Sequence, residues 1–151
     1  MAVDKKIVNE VIVSLFHKIL DIQEKSLHRR GIDGLTMTEV HTIEAIGAGE
    51  QQMMSQVASR LAVTVGTLTT GINRLVKKGY VFRERSEEDR RIVYVGLTDK
   101  GRMVERIHRQ FHEDLIEHML VSLRLDEDEV LLRSLQKIKL FFEEEYGDSI
   151  E

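Results

Sequence analysis

Two histidines of the sequence, His108 and His112, are four residues apart in a segment whose apolar residues repeat with helical spacing. On a helix this separation puts both imidazoles on one face, where they can bind the same metal ion. With His41 and Glu24, on two earlier helical segments, they form a candidate metal site for zinc. The alternative, which we favour, is that the histidines are hydrogen-bonded helix residues beside a ligand cavity, because this spacing is common by chance in long helices. No cofactor is then required.

A metal held by His108, His112 and Glu24 would also suit a metal-dependent hydrolase, which is the remote alternative function. Such an enzyme needs a positioned general base and a substrate cleft, and the sequence contains no separate sign of either. The absence of cysteine excludes a cysteine nucleophile, a thiolate zinc site and disulfide bonds. We therefore predict no catalytic residues and no enzymatic activity.

Residues 64–78 have the composition expected of a helix that reads a nucleic-acid groove. Apolar residues repeat along one face, and Gly79 would end the helix. The opposite face carries small hydroxyls, an amide and cations, which are side chains that contact base edges and phosphates. For Arg74, Lys77 and Lys78, a solvated helix end stabilised by the helix dipole is the alternative. The predicted DNA contacts are Thr64, Thr67, Thr69, Thr70, Asn73, Arg74 and Lys77, with Ser55 and Gln56 from the preceding helix.

Two β-rich runs, at residues 80–82 and 92–95, follow this helix and enclose a charged turn. A helix followed by such a hairpin is typical of a winged helix. Asp89 can form an ion pair with either Arg90 or Arg91 that holds the hairpin, while the other arginine reaches DNA, and we assign Arg91 to the ion pair. Arg90 is assigned to a narrow minor groove, where the negative potential attracts arginine. The predicted DNA contacts of the wing are Arg85, Arg90 and Arg91.

The segments on both sides of this unit predict long helices with broad apolar faces. Residues 5–29 and 99–146 carry more apolar surface than one winged helix can cover, so we expect them to form the dimerisation region of a homodimer. We predict a mainly α fold with a small β wing, in which the winged helix-turn-helix occupies about 36–100. The whole chain, 1–151, would form one domain.

Several helix starts are marked by residues that can cap them. Thr64 is the N-cap candidate of the groove-reading helix and Thr98 that of the long helix after the wing. Met53 and Met54 offer no polar cap, so the start of the helix that follows them is uncertain. The last helix is predicted to begin at Asp126.

The charge of the chain is distributed unevenly. The whole sequence of 151 residues has a net charge of −4, but residues 55–102 contain ten Lys and Arg against five Asp and Glu, which is +5 and leaves −9 for the rest. A basic module in an acidic body can bind phosphate locally while the remainder discourages indiscriminate binding. Nothing in the sequence resembles a signal peptide or a bilayer-spanning run, so we expect a cytoplasmic protein without a membrane partner.

The run from Asp89 to Gly101 resembles the D-R-R…L-T-x-x-G wing signature of the MarR family of bacterial transcription regulators. The order of helices matches that family over essentially the whole chain. Shorter segments, at residues 39–47, 63–70 and 107–112, resemble the fatty-acid-synthesis repressors of the family, the FabT type. The pair Met53-Met54 departs from the polar cap usual in such repressors.

This resemblance implies a homodimeric winged-helix repressor of a palindromic operator in double-stranded DNA. It also implies a corepressor, a long-chain acyl group on acyl carrier protein, whose chain needs an apolar tunnel. Glu24, His41, His108 and His112 also resemble the ligands of zinc-responsive members, although the cysteine of their neighbouring site is absent. A metal- or small-molecule-responsive regulator of another regulon is therefore the alternative. The residues predicted to line the tunnel are Leu15, Ile19, Ile43, Ile107 and Phe111.

Overall fold

The computed structural model describes residues 4–125 and 128–147, and within them the chain forms six α-helices and one three-stranded sheet. The fold is mainly α with a small β wing, which confirms the predicted fold class. No helix in these two ranges is long and apolar enough to cross a membrane. The elements are α1 (Lys5–Arg29), α2 (Met37–Ile46), β1 (Gln52–Met53), α3 (Met54–Leu61), α4 (Val65–Lys77), β2 (Val81–Arg85), β3 (Val93–Leu97), α5 (Asp99–Leu123) and α6 (Glu129–Tyr146).

The hydrophobic core lies in the winged-helix part of the chain. It joins α2, α3, α4, the sheet and the first turns of α5, so close packing fixes the recognition helix α4 relative to the wing. The side chains with no exposed surface in this core are Val40, Ile43, Val57, Ile72, Leu75, Val95 and Val104.

The start of α3 has a cap that the sequence did not reveal. The Met53 backbone N–H donates to Gln56 Oε1 at 3.0 Å, so a side chain inside the first turn satisfies a backbone donor that precedes the helix. Gln52 and Met53 also form the short strand β1, which pairs with β3 and was not predicted. The helix ends at Ala62, whose φ of 52° places it in the left-handed region.

The wing is an antiparallel hairpin in the sheet order β1-β3-β2. Its register pairs Val81 with Leu97 and Arg85 with Val93, so the strands extend further toward the loop and toward α5 than the predicted runs 80–82 and 92–95. The apolar residues indicated only the first part of β2, because the outer half of the strand is exposed and charged. On the face away from α4, the ring of Phe82 covers Gly96, where a Cβ would lie 2.4 Å from the ring.

Lys78, at the end of α4, forms hydrogen bonds within the protein and therefore does not join the side chains of α4 that were predicted to contact DNA. Its Nζ donates to Gly34 O at 2.7 Å and to both carboxylate oxygens of Glu39 at 2.9 and 2.8 Å. Burial acts to raise the pKa of Glu39, but the hydrogen bonds from Lys78 and from the Thr36 N–H outweigh it, and the pKa lies below its ordinary value. The pair therefore fastens the end of the recognition helix to the start of α2.

The two end helices contribute little to this core. On α1, Gln23 and Leu27 are the buried residues, and within Glu129–Tyr146 no side chain is buried. Asp126, the predicted start of the last helix, lies outside the described residues, and α6 begins after Asp128, whose carboxylate accepts from the Leu131 N–H at 2.9 Å. Exposed large apolar side chains on these helices include Leu15, Phe16, Ile19, Leu135, Ile138 and Phe141.

Candidate nucleic-acid interface and histidine cluster

The outward face of α4 carries threonines whose hydroxyls are partly engaged by their own helix. Thr64 Oγ1 accepts from the Thr67 N–H at 3.1 Å and caps the helix as predicted. Thr69 Oγ1 donates to Val65 O at 2.7 Å, and Thr70 Oγ1 donates to Gly66 O at 3.5 Å. Since their hydroxyl protons point back to the helix, Thr69 and Thr70 offer acceptor lone pairs to a groove. Thr64, Thr67, Thr70, Asn73, Arg74 and Lys77 are exposed, and Thr69 is half-buried.

A hydrogen bond joins the recognition helix directly to the wing. Arg83 Nη1 donates to Asn73 Oδ1 at 2.7 Å. Sequence reasoning missed Arg83, although its alternation with Arg85 on β2 puts both on one face of the hairpin. Arg85, which was predicted to contact DNA, is exposed at the end of that strand.

A cleft of about 250 Å³ separates the start of α3, the recognition helix and the wing. Ser55 lines it and is exposed, as is Gln56 beside it. The side-chain oxygen of Gln56 accepts the hydrogen bond that caps α3. Its amide N–H groups therefore remain available to a ligand. Thr69, Arg83 and Arg91 also line this cleft, which therefore combines hydroxyls and two cations with an apolar surface formed by Met53, Met54, Val65, Ile92 and Val93.

The charged turn of the wing is held by Asp89 and Arg91. Asp89 Oδ1 accepts from the Arg91 backbone N–H at 3.0 Å and from its Nε at 3.2 Å. The backbone bond and then the side-chain bond from Arg91 lower the pKa of Asp89 below its ordinary value. Arg91 thus takes the hairpin role assigned to it. Arg90 is exposed beside it, and its contact with a minor groove stays a prediction.

Three histidines and a glutamate converge between α2 and α5. His108 has 1% of its surface exposed, and its Nε2 lies 3.1 Å from Nε2 of His112 and 3.6 Å from Oε2 of Glu44. His41, Glu44 and His108 each offer one ligand atom within 4.8 Å of the others. Burial is the main cause that lowers the pKa of His108, with contributions from His112 and His41, while Glu44 acts in the opposite direction. A neutral imidazole is the form that binds a metal.

The group that could hold a metal contains Glu44 and lacks two of the predicted ligands, Glu24 and His112. Glu24 is exposed on α1 and belongs to no metal-binding group found among the described residues, whereas Glu44 of α2 joins the histidines. The reason is helix geometry, because the next residue on a helix is rotated by about 100°. The neighbouring residue Gln23 faces α5, and its Nε2 lies 3.1 Å from Nε2 of His112. Glu24 is consequently turned toward solvent.

The five predicted tunnel residues are divided among different surroundings. Ile43 is fully buried in the core and Ile107 packs against it, whereas Leu15 and Ile19 are exposed on α1. Phe111 lines a cavity of about 380 Å³ between α1 and α5, together with Ile22, Lys25, Ser26, Arg29 and Arg30. Within the described part of a single chain the five residues thus lie in different surroundings, and the tunnel stays a prediction.

The helix-turn-helix, the exposed hydroxyl and cation face of α4 and the arginine-bearing hairpin together define a winged-helix DNA-binding protein. Residues 33–92 match the profile of the MarR family. The chain is also 31% identical to the HTH-type transcriptional regulator YkoM of Bacillus subtilis, over 77% of this chain and 75% of that protein. The chain belongs to the MarR family and is a MarR-type DNA-binding transcriptional regulator, which excludes the hydrolase alternative.

Among solved structures, FabT of Streptococcus pneumoniae in complex with DNA is similar to this chain with a TM-score of 0.83 and 37% identity, over 93% of this chain and 99% of FabT. The regulator SarZ of Staphylococcus haemolyticus is 27% identical over 89% of this chain and 90% of its own length. The structure of Staphylococcus aureus MepR with DNA, at 18% identity and a TM-score of 0.71, shares the fold. The FabT-type resemblance noted in the sequence is thus found over nearly the whole chain.

Proposed function

We propose that the chain acts as a homodimer that represses fatty-acid-synthesis genes at a palindromic operator, with a long-chain acyl group on acyl carrier protein as corepressor. The observation that carries the proposal is the 37% identity with FabT across nearly the full length of both chains. The homodimer is supported by the apolar faces of α1 and α6, since no side chain of α6 is buried within one chain.

The cavity beside Phe111 supports an acylated carrier as the effector. Its volume of about 380 Å³ lies within the usual range for ligand sites, about 300–1,000 Å³. Ile22 and Phe111 supply apolar surface for a hydrocarbon chain, whereas Lys25, Arg29 and Arg30 place positive charge at its edge. Positive charge there suits the phosphate through which an acyl group is attached to its carrier.

Operator binding is expected to weaken steeply as salt is added. A dimer making about 6–10 phosphate contacts releases about 0.9 counterion per contact, so log affinity should fall against log salt with a slope between about −5 and −9. The measurement is a fluorescence-anisotropy titration at several salt concentrations, with an operator that the protein itself selects from a random duplex pool. A slope near zero would contradict phosphate-dominated binding by the basic module.

The histidine cluster supports a second candidate, regulation by a transition metal such as zinc. Ligand atoms on tetrahedral zinc lie about 3.4 Å apart, because Zn–N bonds are about 2.0–2.1 Å long. The separations of 3.1 and 3.6 Å around His108 Nε2 are close to that value. The alternative is a hydrogen-bonded chain that links Gln23 Nε2, His112 Nε2 and His108 Nε2, with the donor at each step set by the histidine tautomers, and this needs no metal.

Effector addition is expected to separate the two candidates. Protein purified without chelator should bind the selected operator more tightly when acylated carrier protein is added, and zinc alone should leave binding unchanged. Bound zinc is measured by atomic absorption on the same preparation. The Phe111→Glu variant should lose the response to acylated carrier, because the carboxylate would occupy the apolar part of the cavity.

A different set of results would support regulation by zinc. Stoichiometric zinc that is lost when His108 and His112 are both replaced by Ala, together with tighter operator binding on zinc addition, would overturn the acyl proposal. Glu44→Gln and Glu24→Gln are a matched pair of carboxylate removals, and zinc binding by the cluster requires that the first weaken it while the second does not.

A further inference from the structure

We propose that Arg83 binds the phosphodiester strand that separates the major groove from the adjacent minor groove, and that Asn73 is the residue that positions it. This inference rests on the DNA-binding function and assigns a contact that the sequence patterns did not indicate. The juxtaposition that carries it is the 2.7 Å hydrogen bond from Arg83 Nη1 to Asn73 Oδ1, which crosses from the wing to the recognition helix.

The position of Arg83 follows from the register of the hairpin. Arg83 pairs with Val95, and Val81, two residues earlier on the same face, is buried against the core. Arg83 is the next residue outward on that face, and its guanidinium reaches α4. The exposed side chain therefore lines the cleft between the recognition helix and the wing, together with Ser55 and Thr69.

The geometry of a DNA duplex determines what enters such a cleft. A recognition helix occupies the major groove, and an arginine at a wing tip reaches a narrow minor groove. The two neighbouring grooves are separated by one sugar-phosphate strand. When α4 and the wing occupy adjacent grooves, that strand must cross the cleft between them, where the guanidinium of Arg83 can reach its phosphates.

The chemistry of the pair suits a phosphate. A guanidinium carries several N–H donors, so its one bond to Asn73 leaves others free for the bidentate contact that phosphate oxygens favour. Because Asn73 accepts that bond, the arginine is held before DNA arrives, and less side-chain freedom is lost on binding. The carbonyl oxygen of Asn73 is meanwhile occupied, which argues for positioning rather than for the base-reading role predicted from its place on α4.

The test compares Arg83→Ala, Asn73→Ala, the double variant and Arg83→Lys in salt titrations with the selected operator and with an unrelated duplex. Arg83→Ala should weaken both complexes at least about tenfold. It should also reduce the steepness of the salt slope by about 2, one phosphate in each half-site of a dimer. Arg83→Lys should restore the slope, which a purely structural role would not do. Arg106→Ala removes an exposed charge on α5, outside the cleft and the effector cavity, and should leave the slope unchanged.

Asn73→Ala should weaken both duplexes by the same factor, less than Arg83→Ala does, and should add nothing to the double variant. A changed preference at one base position, with the salt slope intact, would instead make Asn73 a base reader and overturn the inference. An unchanged slope of affinity against salt in Arg83→Ala would also overturn the inference. If the parent protein shows no salt-dependent binding at all, the failure lies with the DNA-binding function and not with this contact.

Discussion

The Leu135→Glu variant is expected to be monomeric at micromolar concentrations at which we expect the parent chain to be a dimer. Leu135 is 49% exposed on α6, a helix with no buried side chain, and we place it in the interface between copies. Burying a leucine contributes about 2 kcal/mol, and a two-fold interface contains it twice. Loss of about 4 kcal/mol raises the dimer dissociation constant about a thousandfold, before the cost of burying the carboxylate is added. Sedimentation equilibrium measures the change.

Gln136→Glu is the matched control, because it introduces the same carboxylate one position further along the same helix. That variant should remain a dimer. Operator binding by Leu135→Glu should fall with the dimer, since a palindrome presents two half-sites about 34 Å apart to two linked recognition helices. Winged-helix stability should be unchanged in both variants because α6 does not pack into that core. A Leu135→Glu protein that sediments as the parent dimer would place the interface elsewhere.

Sequence reasoning recovered the winged helix because its signals are local. Apolar spacing placed α4, Gly79 ended it, and the hydroxyls of Thr64 and Thr98 cap α4 and α5 in the structure as predicted. Each signal depends on residues within one or two turns, so no knowledge of tertiary contacts was needed. The two β-rich runs located the hairpin for the same reason, although the exposed, charged half of β2 did not register as a strand.

The errors at the candidate sites concern contacts between elements that are distant in sequence. Helical spacing identified His108 and His112 as neighbours, but the choice between Glu24 and Glu44 depends on which faces of α1 and α2 turn toward α5. An apolar pattern likewise does not distinguish Ile43 in the core from Phe111 beside a cavity. The bond between Arg83 and Asn73 arises because β2 returns alongside α4, and neither residue alone indicates it.

The Gly101→Ala variant is expected to lower the free energy of unfolding by about 1–3 kcal/mol. Replacing glycine by alanine in a helix usually stabilises it by about 1 kcal/mol. The destabilisation expected at Gly101 is opposite in sign to this usual effect. A Cβ on Gly101 would lie 2.1 Å from the carbonyl oxygen of Tyr80. That oxygen accepts from the Thr98 N–H at 3.1 Å, so moving it away would disrupt the turn that leads from the wing into α5. This close approach explains why the wing signature ends in a glycine.

Gly71→Ala on α4 is the matched control, because a Cβ there meets nothing within 4 Å and should stabilise the protein by about 0.5–1 kcal/mol. Urea unfolding followed by circular dichroism gives both free-energy changes from the shift of the midpoint, provided the slope against denaturant is unchanged. Opposite signs for the two variants are the expected result. A Gly101→Ala protein as stable as the Gly71→Ala protein would mean that α5 does not approach Tyr80 closely, and the wing would then not be anchored to the long helix through this contact.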